Sequence, residues 1–367
     1  NSGSLGLQKS FSTVSLARRS PTGRNMKSKK VLIVSNPEDE HTVRVTEKLQ
    51  RLGVSPILYY PENFGRTMFF ASRQGTNNQE SIIISNSQEE IDFRDIDSVW
   101  YRRPRLVSLE SEELDSEGMA FARDEWKSAL EAAYALLDKP LWVSHPDRLR
   151  EAARKPLQLR IAQNLGLNIP ATLITNNPDE AKKFYDSCDG KVIIKPTGSG
   201  WVYSQETEDV FYVMTNRPSL NDIEANDEIA IAPITFQEEI EKEYEIRVNI
   251  VGQQILAIRI DSQSSDVSKL DWRRYDVQNT PYSPYTLPDE IANKCLKLTQ
   301  LLGLEFGAID LIKQPDGKYI FLEINGNGQF LWAEELSGVK VSDALANLLA
   351  GVVSPLNPPI SRKENLR

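Results

Sequence analysis

The chain has 367 residues, with 43 Lys plus Arg against 52 Asp plus Glu and a net charge of −9; it exceeds one typical domain, and that balance disfavours nucleic acid and anionic membranes as partners. No run approaches the ~18 apolar residues of a membrane span, and two cysteines, Cys188 and Cys295, exclude a disulfide framework and fit a reducing cytoplasm. Two histidines, His41 and His145, supply too little for a His-rich zinc site or a His-based nucleophile triad, so any catalysis must rest on carboxylates, Lys and Arg, with or without a metal.

Residues 1–25 differ from the rest. They carry Lys9, Arg18, Arg19 and Arg24, six serines and no acid, which leaves −13 on the remainder. Met26 reads as the natural start. The preceding segment has no apolar stretch of the kind that marks a secretory signal. It reads as an appended tag or linker, or as a tethered leader-like peptide docking Phe11, Val14 and Leu16.

From Met26 the pattern predicts a strand over 31–35, an amphipathic helix over 39–52 with Val43, Val45, Leu49 and Leu52 inward, and a strand over 54–60. That βαβ start implies a parallel sheet covered by helices. The turn Ser35-Asn36-Pro37 lacks the glycines of a dinucleotide site. Further strands are expected at 81–85, 97–101 and 141–144, with a long helix over 117–138. This N-terminal domain spans 26–146.

A central lobe over 147–236 begins with a helix at Pro146-Asp147-Arg148 and a Lys155-bearing helix. Strands at 172–174 and 191–195 flank a helix over 179–186. A C-terminal lobe over 237–353 holds a hairpin (244–260), a polar loop (261–286), a helix (289–302), a second hairpin (307–325) and a closing helix (341–350). Residues 354–367 form a tail. No internal repeat is evident.

The second hairpin is the most informative stretch. Gly307–Ile312 and Tyr319–Asn325 are joined through Pro315-Asp316-Gly317-Lys318, and Asp-Gly is a strong two-residue turn signal. With that turn, Asp310 falls directly opposite Glu323, and Asn325 shares their face. Two opposed carboxylates among aliphatic neighbours destabilise a ladder. A divalent cation removes the conflict, and an all-oxygen set of Asp310, Glu323 and Asn325 suits Mg²⁺, which completes its shell with water and phosphate.

Phosphate needs cations. Lys195 ends the aliphatic run Val192-Ile193-Ile194 and precedes Pro196-Thr197-Gly198-Ser199-Gly200-Trp201, so it offers an ammonium beside bare backbone N–H groups. Lys155 is a second candidate. The stretch 237–245 carries five acids in nine positions. It reads as a solvated acidic strand, or as an interlobe connector whose backbone at Gln237, Glu238, Glu239 and Ile240 bonds a purine edge while a carboxylate such as Glu245 takes ribose hydroxyls.

Taken in order, these residues resemble the ATP-grasp carboxylate–amine/alcohol ligases over about 146–349: a lysine on the first helix, Lys195, Gln237-Glu238, Tyr244-Glu245-Ile246-Arg247-Val248, Ala257-Ile258-Arg259-Ile260, Asp310 and Glu323-x-Asn325. Val99-Trp100-Tyr101-Arg102-Arg103-Pro104, Ala171–Asn176 and Leu270-Asp271-Trp272-Arg273 look like the ligases that macrocyclise microviridin-type peptides, the graspetides. The resemblance implies an ATP-grasp fold of α/β class with α+β lobes: a parallel-sheet pre-ATP-grasp domain, a central lobe and an antiparallel C-terminal lobe. It implies ATP and Mg²⁺ as cofactors. As partner it implies a precursor peptide with a leader and a core of Asp/Glu plus Ser/Thr/Lys. Members are often homodimers, though no residue here indicates an assembly state.

The implied chemistry is carboxylate activation by ATP to an acyl phosphate, then displacement of phosphate by a hydroxyl or amine. Such transfer needs positioning and charge neutralisation more than covalent help, which suits a chain poor in His and Cys. Arg259 is expected to stabilise the transferred charge. With Gly252-Gln253 as the first hairpin's loop, Ile246 faces Arg259, so Arg247 points to the other face and ranks second. Asp271 and Arg273 are candidates for the peptide side. Arg102 and Arg103 either draw an acidic peptide into the cleft or cap a strand. A RimK-like amino-acid or poly-glutamate ligase is the closest alternative. A nucleotide-binding protein without turnover is disfavoured by the intact metal positions.

Overall fold

The first strand, β1 (Val31–Val34), is buried on both faces, as a central parallel strand must be. In this computed structural model, which describes residues 29–63, 68–74, 81–85, 90–105, 109, 114–198, 200–203, 210–224, 226–274 and 276–357, β1 is followed by α1 (Glu40–Arg51) and β2 (Ile57–Tyr59). Next come β3 (Phe69–Arg73), β4 (Ser81–Ser85), β5 (Glu90–Asp92), β6 (Ser98–Tyr101), α2 (Ser116–Leu136) and β7 (Leu141–Val143). The main sheet is all parallel in the order β2-β1-β6-β7, as the βαβ pattern implied. The strand expected at 81–85 is the centre of a small antiparallel sheet, β3-β4-β5, whose other two strands were not expected; it packs Ile82 and Ile84 with α2 on one face. Residues 1–25, and with them the tag-or-leader question, lie outside the described residues, as do 358–367 of the tail.

Helix α1 differs from expectation in its inward face. Val45 and Leu49 are buried, but Val43 and Leu52 are 55% and 43% exposed. The face is set by Thr42, Val45 and Leu49, because α1 packs against α10 (Val341–Leu349) from the far end of the chain. The core between them joins Val31, Ile33, Val45, Leu49 and Trp100 to Phe306, Phe330, Leu345 and Leu348. The first and last lobes are therefore one packed body at this face.

The central sheet is antiparallel, with β12 (Ile234–Glu238) between β8 (Thr172–Thr175) and β9 (Val192–Lys195), and α5 (Pro178–Ser187), α6 (Leu220–Glu224) and α7 (Asn226–Ile231) beside it. A short hairpin, β10 (Trp201–Tyr203) with β11 (Val210–Tyr212), follows the glycine-rich turn. Helices α3 (Pro146–Ala152) and α4 (Lys155–Asn164), read as the opening of the central lobe, instead place Ala152 and Ala162 in the core of the C-terminal lobe. Their apolar residues find partners there, around Ile309, Leu311 and Phe321.

That last lobe is a five-stranded antiparallel sheet ordered β15-β14-β13-β16-β17: β13 (Tyr244–Val251), β14 (Gln254–Ile260), β15 (Tyr282–Tyr285), β16 (Phe306–Lys313) and β17 (Tyr319–Asn325). Helix α8 (Asp289–Leu301) covers one face, with Cys295 and Leu298 buried against Ile246, Val248 and Ile309. The opposite face holds Glu245, Arg247 and Asp310 and turns toward the central sheet. Residues 261–286, expected as a polar loop, are tied down from within: Ser268 Oγ donates to the Ser262 carbonyl at 2.8 Å, and Ser262 Oγ to Glu245 at 2.9 Å. After β17 come α9 (Leu331–Ser337) and α10. The start of the tail is docked, since the Leu356 N–H donates to Glu305 at 2.8 Å.

Candidate active site

Alternation along β13 and β16 puts Arg247 directly opposite Asp310. Both side chains are almost fully buried, and Arg247 Nη1 donates to Asp310 Oδ1 at 2.8 Å. On the other side of β16, Asp310 pairs with Glu323 of β17. Glu323 receives Arg273 Nη1 at 3.3 Å and Lys155 Nζ at 3.6 Å. Burial, and then the neighbouring Glu323 charge, push the Asp310 carboxyl above its usual range against the pull of Arg247. Burial acts on Glu323 too, but Arg273, Lys155 and Lys195 outweigh it and hold it ionised.

The central sheet supplies the facing wall. Lys195, at the end of β9, donates to Gln237 Oε1 at 2.9 Å and is half-buried. Desolvation lowers its pKa to about 8, with Lys155 and Arg273 adding repulsion and Glu323 opposing. A half-buried ammonium with one neutral partner and a depressed pKa is poised to take an anion. Lys195, Gln237, Glu238, Glu239, Ile240, Lys242, Glu245, Asp271, Asp310 and Glu323 all line one narrow cavity between the central sheet and the second hairpin.

A second cavity, of about 510 Å³ and open to solvent, shares Trp272, Arg273, Asp310 and Glu323 with the first and adds Arg103, Arg247, Asn325, Tyr212 and Trp332. Trp272 and Trp332 stack with ring centroids 4.5 Å apart. The two cavities thus meet at the hairpin carboxylates. One is narrow and lined by the lobe connector; the other is wide, aromatic and rich in arginine.

Several expected roles change. Arg259 faces Ile246 across the ladder, as the turn arithmetic required. It therefore lies on the α8 side of the sheet, over the Tyr244 ring at 3.9 Å and paired with Asp261, and lines neither cavity. The arginine of this pair that reaches the carboxylates is Arg247. Asp271 is buried, accepts from Thr215 Oγ1 at 2.9 Å and binds Arg273 through both oxygens at 2.8 and 3.0 Å. Burial alone would raise its pKa, but Arg273 and Thr215 hold it at about 2. It orients Arg273 toward Glu323 and presents no surface for a peptide. Glu245 is likewise buried behind Lys242, which it holds at 2.8 Å, so its carboxylate is occupied by Lys242 and Ser262. Burial pushes it up. Glu239 is taken by Arg217. Arg102 is 1% exposed and points into the fold, donating to the Asn327 and Gly328 carbonyls. Arg103 does line the wider cavity.

The sequence reading gave no role to Thr215, Lys242, Gln329 or Trp332. The run Asn325-Gly326-Asn327-Gly328-Gln329, too rich in glycine to continue a strand, was the signal for Gln329. Nothing local marked Thr215 or Trp332, which reach the cleft from other elements.

The donor set suits a hard cation. Asp310, Glu323 and Asn325 offer oxygen alone, and among the described residues no cluster of three or more His, Cys, Asp or Glu exists. An all-protein cage is thus not available, whereas a cation completed by phosphate and water needs only these groups. Asn325 Oδ1 also accepts from the Asn327 N–H at 2.9 Å, which fixes its carboxamide.

Comparison with known proteins decides the family. A family model for the MvdD pre-ATP grasp domain matches residues 30–150, and one for the RimK-like ATP-grasp domain matches residues 152–349, more than half of the chain. The chain belongs to the ATP-grasp ligases. Among solved structures, this ligase is similar to macrocyclase MdnC bound with precursor peptide MdnA from Microcystis aeruginosa MRC, at 30% identity and TM-score 0.77 over 88% of this chain and 100% of that one. It is also similar to a Chryseobacterium gregarium RiPP-associated ATP-grasp ligase in complex with ADP, leader and core peptide, at 29% identity and TM-score 0.82 over 91% and 100%. A curated relative, the alpha-aminoadipate–LysW ligase LysX of Sulfolobus acidocaldarius, is 21% identical over 56% of this chain and 73% of its own length. Among the described residues of this ATP-grasp ligase, no helix is long and apolar enough to cross a membrane.

Proposed function

We propose that this ATP-grasp ligase activates Asp or Glu side chains of a ribosomal precursor peptide and joins them to Ser/Thr hydroxyls or Lys amines, closing macrocycles. The observation that carries the reading is the meeting of two cavities at Asp310, Glu323 and Arg273. The narrow one suits a nucleotide and the wide one a peptide carboxylate. The peptide-bound neighbours support the same partner.

In this reading the connector binds the base. The Glu238 and Glu239 N–H groups are already given to the Ala171 and Lys191 carbonyls, so the backbone from Ile240 onward faces the purine. Lys155 and Lys195 hold phosphate oxygens. Asp310, Glu323 and Asn325 would hold Mg²⁺, which when bound neutralises charge on the phosphates. A peptide carboxylate oxygen attacks the γ-phosphorus and ADP leaves, giving an acyl phosphate. The acceptor oxygen or nitrogen then attacks the acyl carbon, phosphate leaves, and the acceptor's proton departs with it. Arg247 and Arg273, both beside the hairpin carboxylates, stabilise the oxygens that gain charge in these steps, with Arg103 drawing the carboxylate in.

Mass spectrometry tests the proposal directly. The protein is incubated with ATP, Mg²⁺ and an Asp/Glu- and Ser/Thr/Lys-rich peptide encoded beside its gene. Loss of one water per bond, strictly dependent on ATP, is expected; methanolysis then separates ester from amide. An unchanged peptide mass, with ADP formed on addition of free amino acids, would replace this reading with a small-molecule ligase.

A further inference from the structure

Between Asn325 and Phe330 the chain carries Gly326, Asn327, Gly328 and Gln329, so it has no apolar side chain to anchor its own path. Its path is set from outside. Arg102 Nη1 donates to the Asn327 carbonyl at 2.6 Å and to the Gly328 carbonyl at 3.1 Å. Arg247 Nη2 donates to the Gln329 carbonyl at 3.3 Å. His41 Nε2 accepts from the Phe330 and Leu331 N–H groups at 3.2 and 3.4 Å. Asp39 ties the outer two together, accepting from Arg102 Nε at 3.2 Å and His41 Nδ1 at 3.1 Å. Since Nε2 accepts two backbone protons, the imidazole proton sits on Nδ1 and faces Asp39.

Arg102, at the end of β6, Asp39, the N-cap of α1, and His41 all belong to the N-terminal lobe. They contact neither cavity. Burying an arginine and a carboxylate is a poor route to stability, because apolar residues of like volume serve as well or better. What this cluster does that apolar residues cannot is fix the backbone groups of Asn327, Gly328, Phe330 and Leu331 next to the candidate cation ligands.

We propose that Asp39, His41 and Arg102 are positioning residues for the cation site: acting through the 326–331 loop, they hold Asn325 beside Glu323 and so set the affinity for the divalent cation. The inference rests on the reading of Asp310, Glu323 and Asn325 as cation ligands. Partners that orient metal ligands from behind are worth about 10- to 100-fold in metal affinity. A pH signature accompanies the geometry. The groups facing His41 are Asp39, Arg102 and Arg103, with the Phe330 ring edge-on at 4.6 Å. Burial, with the two arginines, keeps its pKa below the ordinary range against the pull of Asp39. Protonation at Nε2 would set an N–H against two N–H donors and release the loop.

The test measures Mn²⁺ binding to the full-length protein with ADP present, by the paramagnetic signal of the free ion, alongside ADP binding in chelator and circular dichroism. Arg102→Lys and His41→Ala are expected to weaken Mn²⁺ binding about tenfold, with metal-free ADP affinity and fold unchanged. His41→Gln keeps an acceptor where Nε2 stood. It should bind Mn²⁺ like the parent at neutral pH and lose the parent's weakening in acid, below the ordinary histidine value of about 6.5. Folded Arg102→Lys and His41→Ala proteins with parental Mn²⁺ affinity would overturn the positioning role. Parental affinity in Glu323→Gln as well would show instead that the ligand assignment beneath it is wrong.

Discussion

Asp310 stands opposite Glu323 because Leu322 is squeezed out of the ladder between β16 and β17. Nearer the turn, Leu311 pairs with Phe321 and Lys313 with Tyr319; beyond the irregularity, Ile309 pairs with Ile324. The bulge changes the parity of β17. Phe321 therefore packs into the α8 core while Glu323, only two residues on, faces the cleft beside Leu322. Bulges next to active sites commonly re-aim a side chain in this way.

Neutralising either carboxylate of this pair should end turnover while leaving the fold. Glu323→Gln removes the anion that Arg273 and Lys155 approach, and Asp310→Asn the one held by Arg247. ADP release is expected to fall at least about 100-fold in each, on the scale of losing a transition-state electrostatic contact. Circular dichroism should stay parental. Persistent turnover in both variants would remove them from the chemistry.

Arg247 and Arg259 lie on opposite faces of one hairpin and should separate cleanly. Arg247→Met leaves Asp310 buried without its partner, a loss on the order of 3–5 kcal/mol, and should abolish ADP formation. Arg259→Ala gives up a stacking contact over Tyr244 worth about 0.5–1 kcal/mol and should turn over like the parent. Chemical denaturation and an ADP assay on the same two proteins decide it; a dead Arg259→Ala beside an active Arg247→Met would reverse the assignment.

Much of this site was legible because hairpin geometry is local. Asp-Gly and Gly-Gln turns bounded by alternating residues located Asp310 opposite Glu323 and Arg259 opposite Ile246 from the sequence alone. The turn itself is longer than the two-residue form: the Gln314 N–H bonds the Lys318 carbonyl, and Gly317 takes φ +95°. The Leu322 bulge restores the pairing that the longer turn displaces. Which face of the first hairpin lines the cavities was not legible, since that depends on α8 covering the other side. Arg102, Asp271 and Glu245 were misread for a shared reason. A charged residue in a sequence reads as exposed, whereas these three are buried and spent on Asn327, Arg273 and Lys242.

Lys195 gives a pH prediction with two opposite signs. Its folded pKa of about 8 lies below the unfolded 10.5, so between these values the unfolded chain binds more protons and this group's contribution to stability rises with pH. Below pH 8 the partly desolvated ammonium is destabilising. Nucleotide affinity should run the other way, falling as pH rises through about 8 and the ammonium is lost. Calorimetric ADP binding across that range checks the second sign and thermal melts of the apoprotein the first. Lys195→Met should bind ADP about 10-fold or more weakly and flatten both profiles.

Gly328→Ala tests the loop behind the proposed cation site by volume alone. An added methyl would overlap the Ala308 side chain and lie 2.7 Å from Arg247 Nη2, in a segment whose neighbours Asn325 and Gln329 are already fixed by hydrogen bonds. Neither Ala308 in the middle of β16 nor the arginine paired to Asp310 can yield without moving the cleft. Displacing reacting groups by about 1 Å can cost on the order of 100-fold in rate, so ADP formation should fall by about that factor with nucleotide binding little changed. Gly338→Ala is the contrasting variant. Its added methyl meets nothing within 4 Å, but φ +78° makes any side chain strained. That substitution should cost about 1–2 kcal/mol of stability and leave the turnover of the folded enzyme untouched. If the two glycines gave the same loss of turnover, close packing against Arg247 would not be what position 328 contributes.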